Sequence, residues 1–359
     1  MNTENIAALL DSEEYVVRLD PKGMYALTRD FPNQIRSAIS IAESAALPSG
    51  PAKPDHVILT GLGGSAAGGD FVRALFEAAG SVPFLVNRDY FLPAYAGSGS
   101  LVFACSYSGN TEETISAYLD ARKKGASIIV VTSGGKLAEM ARQDGFPIIQ
   151  IPSGQPPRTA LGYLLMPVAV ACMRLQLIPN EDSEALIAHL KTCVDTWSAN
   201  IPFSQNPTKK LAEAHFKKIS VIYGLGSWQG LVANRWKGQI NENAKVLTFA
   251  NIYPELNHNE ILGWVKANEQ GVAQWVGILL SDGHESAKMQ KRAEVTQKLT
   301  EQICEWHTVV TPGETLLQKM LALALYGDFV SLYLAALNHV DPENIDWINI
   351  LKAELSQVS

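Results

Sequence analysis

Beyond residue 55 the chain alternates short runs rich in Val, Ile and Leu with longer stretches whose apolar residues recur every three or four positions. The short runs predict strands at Val57–Thr60, Phe84–Val86, Leu101–Ala104, Ile128–Val131 and Ile148–Ile151. Between them Ala66–Ala79, Glu112–Lys124 and Leu137–Gln143 carry the helical period. This alternation predicts a parallel sheet covered on both faces. The pattern then restarts. Ile219–Tyr223 leads into Gly-Leu-Gly-Ser-Trp-Gln-Gly, a helix follows over Leu231–Asn241, and strands are predicted at Val246–Phe249, Val272–Leu279 and Thr308–Val310. The two openings, HVILTGLGGSAAGG and SVIYGLGSWQGLV, align as strand, Gly-Leu-Gly turn, serine and helix. They read as a divergent internal duplication with its boundary near Pro179–Pro207.

Outside the two halves, the first 40 residues read as a helical arm, and Glu314–His339 is apolar on more than one face. A helix of that kind is expected to be buried, in the core or at a subunit interface. The expected division is an arm over 1–40, one α/β subdomain over 41–180, a connector over 181–207 and a second subdomain over 208–359. The length of 359 residues agrees with two domains. A formal net charge of −7 argues against nucleic acid or an anionic membrane as partner. The N-terminus lacks the basic-then-apolar order of a leader, and the uncharged run ending at Arg174 is broken by Pro167 and too short to span a membrane. Cys105, Cys172, Cys193 and Cys304 are scattered, without the spacing of a disulfide scaffold or a zinc site. No cofactor or metal is expected, and the expected location is the cytoplasm.

Two loops carry chemistry. Gly61-Leu62-Gly63-Gly64-Ser65-Ala66 lies where a strand becomes a helix, so glycines would let amides at the helix start face an anion. A dinucleotide-binding turn is one alternative, but the next strand ends Asn87-Arg88-Asp89, which places an acidic ribose ligand poorly. After the strand Leu101–Ala104 comes Cys105-Ser106-Tyr107-Ser108-Gly109-Asn110-Thr111-Glu112-Glu113. Hydroxyls and free amides at a positive helix end make an uncharged phosphate cradle. A capping box of Asn110 with Glu113 is the rival reading, though capping alone needs neither Ser106 nor Ser108.

The strand-S-x-S-G-x-T-x-E-helix pattern resembles the phosphate-binding signature of the sugar isomerase (SIS) domain. Two such halves resemble the phosphoglucose isomerase superfamily. Pro156-Pro157-Arg158-Thr159-Ala160-Leu161-Gly162-Tyr163, Asn241-Glu242-Asn243-Ala244-Lys245 and Pro254-Glu255-Leu256-Asn257-His258-Asn259-Glu260 are similar to blocks of the bifunctional phosphoglucose/phosphomannose isomerase family. So is the ending Gly327-Asp328-Phe329, Asp341-Pro342 and Leu351-Lys352.

The resemblance implies an α/β fold of two SIS-type, doubly wound αβα subdomains with an N-terminal arm and C-terminal helices. It also implies isomerisation of glucose 6-phosphate, and of mannose 6-phosphate, to fructose 6-phosphate through a cis-enediolate. It places Glu242 as the proton-transfer base, Arg158 over the enediolate, and His258 with Lys352 at ring opening. Phosphate would rest on Gly63, Gly64, Ser65, Ser106, Ser108 and Thr111. In the family the histidine comes from the neighbouring subunit, which implies a homodimer. From spacing alone, Glu255 and Glu260 rival Glu242 as the base. A sugar-phosphate-binding regulator without chemistry and a dehydrogenase built on GLGGSA are the rival functions.

Overall fold

The computed structural model describes residues 3–47, 53–270 and 274–355, the side chains of Lys352 and Leu355 excepted. It divides into two compact units, Asp30–Lys191 and the discontinuous pair Met1–Arg29 with Thr192–Ser359.

The Asp30–Lys191 unit holds a five-stranded sheet of β1 (His56–Thr60), β2 (Phe84–Asn87), β3 (Ser100–Ser106), β4 (Ser127–Thr132) and β5 (Ile148–Gln150). The spatial order is β2-β1-β3-β4-β5 and every pair is parallel. β3 is buried at all seven residues because helices cover both faces, as its unbroken apolar run requires. Tyr118, Ala121 and Leu137 pack with Val102 and Val130 in one layer. The helix Leu161–Arg174 packs with Phe31–Ser44 and Gly63–Ala79. It runs helical straight through Pro167.

The second unit repeats this plan. Its strands are β6 (Ile219–Gly224), β7 (Thr248–Ile252), β8 (Trp275–Ser281) and β9 (Cys304–Val310), again all parallel, in the order β7-β6-β8-β9. That is the order of the first sheet without its last strand. The helices correspond as well. Pro207–His215 precedes β6 as Phe31–Ser44 precedes β1, and Leu316–Leu337 closes the second unit as Leu161–Arg174 closes the first. In each case the closing helix packs on the helix before the sheet and the helix after its first strand.

Leu316–Leu337 is long and apolar enough to cross a membrane, yet all of it but Leu316 and Lys319 is buried within this unit. Its lack of a polar face follows from its central position. Trp236 donates to the Leu323 carbonyl at 2.8 Å, and Arg235 and Gln239 donate to the buried Asp328 at 2.8 and 2.7 Å. The N-terminal helix Thr3–Leu10 belongs to this unit too. Thr3 and Ile6 share the walls of a cavity of about 870 Å3 with Glu305, His307 and Val309 of β9, on whose outer side no fifth strand pairs among the described residues.

Candidate functional site

In a parallel sheet of order 2-1-3-4-5, the crossovers leave β1 and β3 in opposite directions. A crevice therefore opens beyond their carboxyl ends. Both chemistry-bearing loops lie there, because β1 runs into Gly61–Ser65 and β3 ends at Ser106. The loops approach closely. A Cβ on Gly61 would stand 2.8 Å from the Cys105 carbonyl oxygen, so only glycine lets the first loop lie against the end of β3.

The second loop is rigid. Gly109 has φ +70°, and its amide donates to Ser106 Oγ at 3.1 Å. Ser106 Oγ and Thr111 Oγ1 are hydrogen-bonded at 2.9 Å. Ser108 is exposed, its Oγ accepting from the Asn110 amide at 3.2 Å. The loop is braced from behind, where Ser133 donates to the Tyr107 carbonyl and the Leu137 amide to the Gly109 carbonyl.

The rival capping box is not what forms here. The N-cap of helix Glu112–Lys123 is Thr111, whose side chain makes no capping bond. Asn110 instead accepts from the Lys136 amide at 3.0 Å. Helix Gly63–Ala79 likewise starts from Leu62 without a side-chain cap. Two helix starts with no capping side chain, each with positive dipole character, thus meet the hydroxyls of Ser106, Ser108 and Thr111 at one crevice. Ser65 is buried in the first turn of the first of these helices.

The turn that carries Arg158 packs against the same helix start. Arg158 is buried in the single 3-10 turn Pro157–Thr159. A Cβ on Gly64 would stand 3.0 Å from the Pro157 carbonyl oxygen, which fixes this turn on the start of helix Gly63–Ala79. The buried Gln34 holds the turn from the other side, donating to the Thr159 carbonyl at 2.9 Å and accepting from the Gly162 amide at 2.7 Å. Nothing in the sequence marks this lone glutamine as a brace.

Glu242, His258 and Lys352 belong to the second unit. Glu242 is half-buried in a π-turn, Ile240–Ala244, that ends helix Ser227–Gln239. Such turns bulge a helix outward and recur at functional sites. The asparagines on either side pin it. Asn241 exchanges hydrogen bonds with Thr248, and Asn243 donates to the buried Ser331 at 2.9 Å.

His258 ends the 3-10 turn Glu255–His258 and is exposed. Glu242 stands beside the start of β7 through Asn241, whereas His258 follows its far end. The five residues of β7 thus lie between the two positions along the chain. Of the rival bases, Glu260 is already engaged by the Tyr223 hydroxyl and the Asn251 amide. Burial first, then the Glu260 carboxylate, pushes the Tyr223 phenol up, so it remains a proton donor. Glu255 accepts from Asn259 at 3.1 Å. Lys352 falls in helix Asp346–Leu355, and its side chain lies outside what the structure describes.

Comparison with known proteins agrees with this layout. Residues 204–355 match the model of the bacterial phospho-glucose isomerase C-terminal SIS domain, and residues 52–157 that of the SIS domain. The chain is 39% identical over 338 residues to a bifunctional phosphoglucose/phosphomannose isomerase of Caldicellulosiruptor bescii, covering 93% of this chain and 99% of that one. The chain belongs to this isomerase family. Its counterpart in the same family from Thermoplasma acidophilum is 34% identical, covering 84% of this chain and 90% of the other. Among solved structures, a hypothetical protein of Thermus thermophilus shares the fold at TM-score 0.75 and 18% identity, over 99% of this chain and 95% of that one. Membership in the phosphoglucose/phosphomannose isomerase family identifies a small phosphosugar as the ligand class.

Proposed function

We propose that this chain interconverts glucose 6-phosphate and mannose 6-phosphate with fructose 6-phosphate by proton transfer through a cis-enediolate. The observation that carries the reading is the crevice beyond β1 and β3, where helix starts lacking capping side chains meet three hydroxyls, with the turn that carries the buried Arg158 packed against one of those starts. Gly63, Gly64, Ser65, Ser106, Ser108 and Thr111 hold the phosphate through amides and hydroxyls. Arg158, always protonated and planar, spreads its donors over the enediolate. Glu242 takes the proton from one sugar carbon and returns it to the next. Accepting both aldoses requires that the enediolate present either face of C2 to that carboxylate. His258 and Lys352 serve ring opening as an acid–base pair.

The catalytic assembly in this proposal is a homodimer in which His258 acts in the neighbouring subunit's site. The placement of Glu242 beside the start of β7 and of His258 after its end supports this, as does the exposure of Leu247 and Phe249 at the start of that strand and of Leu262 and Val265 in the 3-10 helix Glu260–Glu269. The subdomains are taken as 41–180 and 208–359, joined by 181–207; of the arm 1–40, residues 30–40 group with the first unit as the start of helix Phe31–Ser44, and residues 1–29 with the second. The location is taken as the cytoplasm, in keeping with four buried free cysteines.

Glu242→Gln tests the base. Formation of fructose 6-phosphate from glucose 6-phosphate should fall by about 10²–10⁴-fold, and native turnover would remove Glu242 from the role. Phosphosugar binding by the native chain with no turnover would favour the regulator instead. Mixing Glu242→Gln with His258→Ala should restore about a quarter of native activity, since half of the chains pair as heterodimers with one intact site each. No recovery on mixing would place His258 in its own subunit's site or in none.

A further inference from the structure

The duplication gives the second sheet a crevice of its own beyond β6 and β8, and its loop shares with the first cradle a strand-end serine whose hydroxyl accepts from the amide of a left-handed glycine, two residues on rather than three. β8 ends at Ser281 as β3 ends at Ser106. Gly283 has φ +75° where Gly109 has +70°, and its amide donates to Ser281 Oγ at 3.0 Å. In the first loop the serine hydroxyl then bonds Thr111. In the second it donates to Glu285 Oε2 at 2.9 Å. The other carboxylate oxygen, Oε1, accepts from the Asp282 amide at 2.8 Å and from Gln229 Nε2 at 3.2 Å.

Gln229 stands in the first turn of helix Ser227–Gln239, which starts from Gly226 without a side-chain cap. The side chain is 3% exposed, and its Oε1 has no partner among the described residues, so its one bond is the one aimed at Glu285. A hydroxyl, a loop amide and a side-chain amide thus converge on an oxyanion beside a helix start. Those are the partners a phosphate oxygen takes.

We propose that the crevice between Gly226–Gln229 and Ser281–Glu285 is a second phosphate-type anion site, closed in the native chain because its own Glu285 carboxylate occupies it. This accounts for a duplicated chain with one phosphosugar site rather than two. Asp282 beside it is paired with Lys319 at 3.0 Å, so the native crevice carries two carboxylates against one ammonium and repels a dianion. The inference rests on reading the first loop as a phosphate cradle, and the experiment separates the two ideas.

The full chain is prepared with Ser108→Ala and Thr111→Ala, and inorganic phosphate binding is followed by equilibrium dialysis. With Glu285 in place, that background should bind no phosphate. Adding Glu285→Ser, which restores a short hydroxyl at the position of the carboxylate, should create one phosphate site per chain and a melting temperature that rises with phosphate but not with chloride. Phosphate retained by the Ser108→Ala, Thr111→Ala background would sink the first cradle alone. Absence of a new site in the Glu285→Ser chain would overturn the closed second cradle. Glu285→Gln keeps the side chain in the crevice and should add no site; binding equal to Glu285→Ser would show that the crevice was never filled. The unmodified protein is an independent check, because more than one phosphate bound per native chain overturns the proposal whatever the variants do.

Discussion

His215 closes helix Pro207–His215 in the second unit, fully buried, and neither ring nitrogen has a hydrogen-bond partner among the described residues. Burial above all, then the neighbouring His307, pushes its pKa down to about 3; the Leu211 backbone, near the ring but outside hydrogen-bonding geometry, offsets only part of this, and Lys218 adds to it. An unfolded histidine titrates near 6.5. Between these values the unfolded chain binds a proton that the folded chain refuses, so stability falls as pH drops from 6.5 toward 3 and is unaffected above 6.5. The slope is about 1.4 kcal/mol per pH unit, which makes the loss at pH 5 about 2 kcal/mol. His215→Leu removes both the proton site and two unpartnered ring nitrogens. The variant should be at least as stable as the native chain at pH 7.5 and should gain on it by about 2 kcal/mol at pH 5. Urea unfolding followed by tryptophan fluorescence suits the measurement, because all seven tryptophans, Trp197 to Trp347, lie in the unit that holds His215. Identical pH dependence in the two proteins would refute the assignment of a buried neutral histidine.

Three further outcomes follow from particular contacts. Gly109→Ala puts a Cβ 1.8 Å from the Gly134 carbonyl oxygen at a left-handed φ. It should cost more than the roughly 1–2 kcal/mol of the backbone conformation itself, read as a lower calorimetric transition of the Asp30–Lys191 unit, and should raise KM for the phosphosugar. Asn243→Ala releases the π-turn from Ser331 and should lower kcat by about ten- to a hundredfold, with little change in KM, because it moves the base without touching the phosphate cradle. Asp328→Asn removes the buried counter-charge of Arg235 and should destabilise the second unit by roughly 3–5 kcal/mol in the same urea assay.

The strand–helix alternation was readable because the central strands, β3 and β8 above all, are buried on both faces and so appear as unbroken apolar runs. Legibility failed where burial was one-sided or local. β9 begins at Cys304 rather than Thr308, since Glu305 and His307 face a cavity at an unpaired edge and break the apolar run. Val246 and Leu247 look like a strand start, yet Leu247 is 58% exposed and the strand begins at Thr248. Helix Ser227–Gln239 starts four residues before its predicted Leu231, because Ser-Trp-Gln-Gly shows no helical period. Of the predicted strand Val272–Leu279, the first two residues lie outside those described. The loops Gly61–Ser65 and Ser106–Thr111 announced themselves through glycine and hydroxyl content. Gln34, Asn241, Asn243 and the π-turn did not, because a brace is defined by partners distant in sequence.

The division of the chain also sets an order of assembly. Residues 30–191 form a continuous stretch with their own sheet, so this unit has all its partners as soon as it leaves the ribosome. The first 29 residues emerge before it, but the unit they belong to waits for residues 192–359. Domains generally fold as units during synthesis, N-terminal ones first. Residues 1–29 are made before their partners in 192–359, so Ile6 and Leu10, buried in the finished unit, wait for those partners during elongation. A chain interrupted late in translation would therefore present a completed first sheet and an exposed apolar N-terminal segment. In the finished unit Ile6 and Leu10 of that segment are covered.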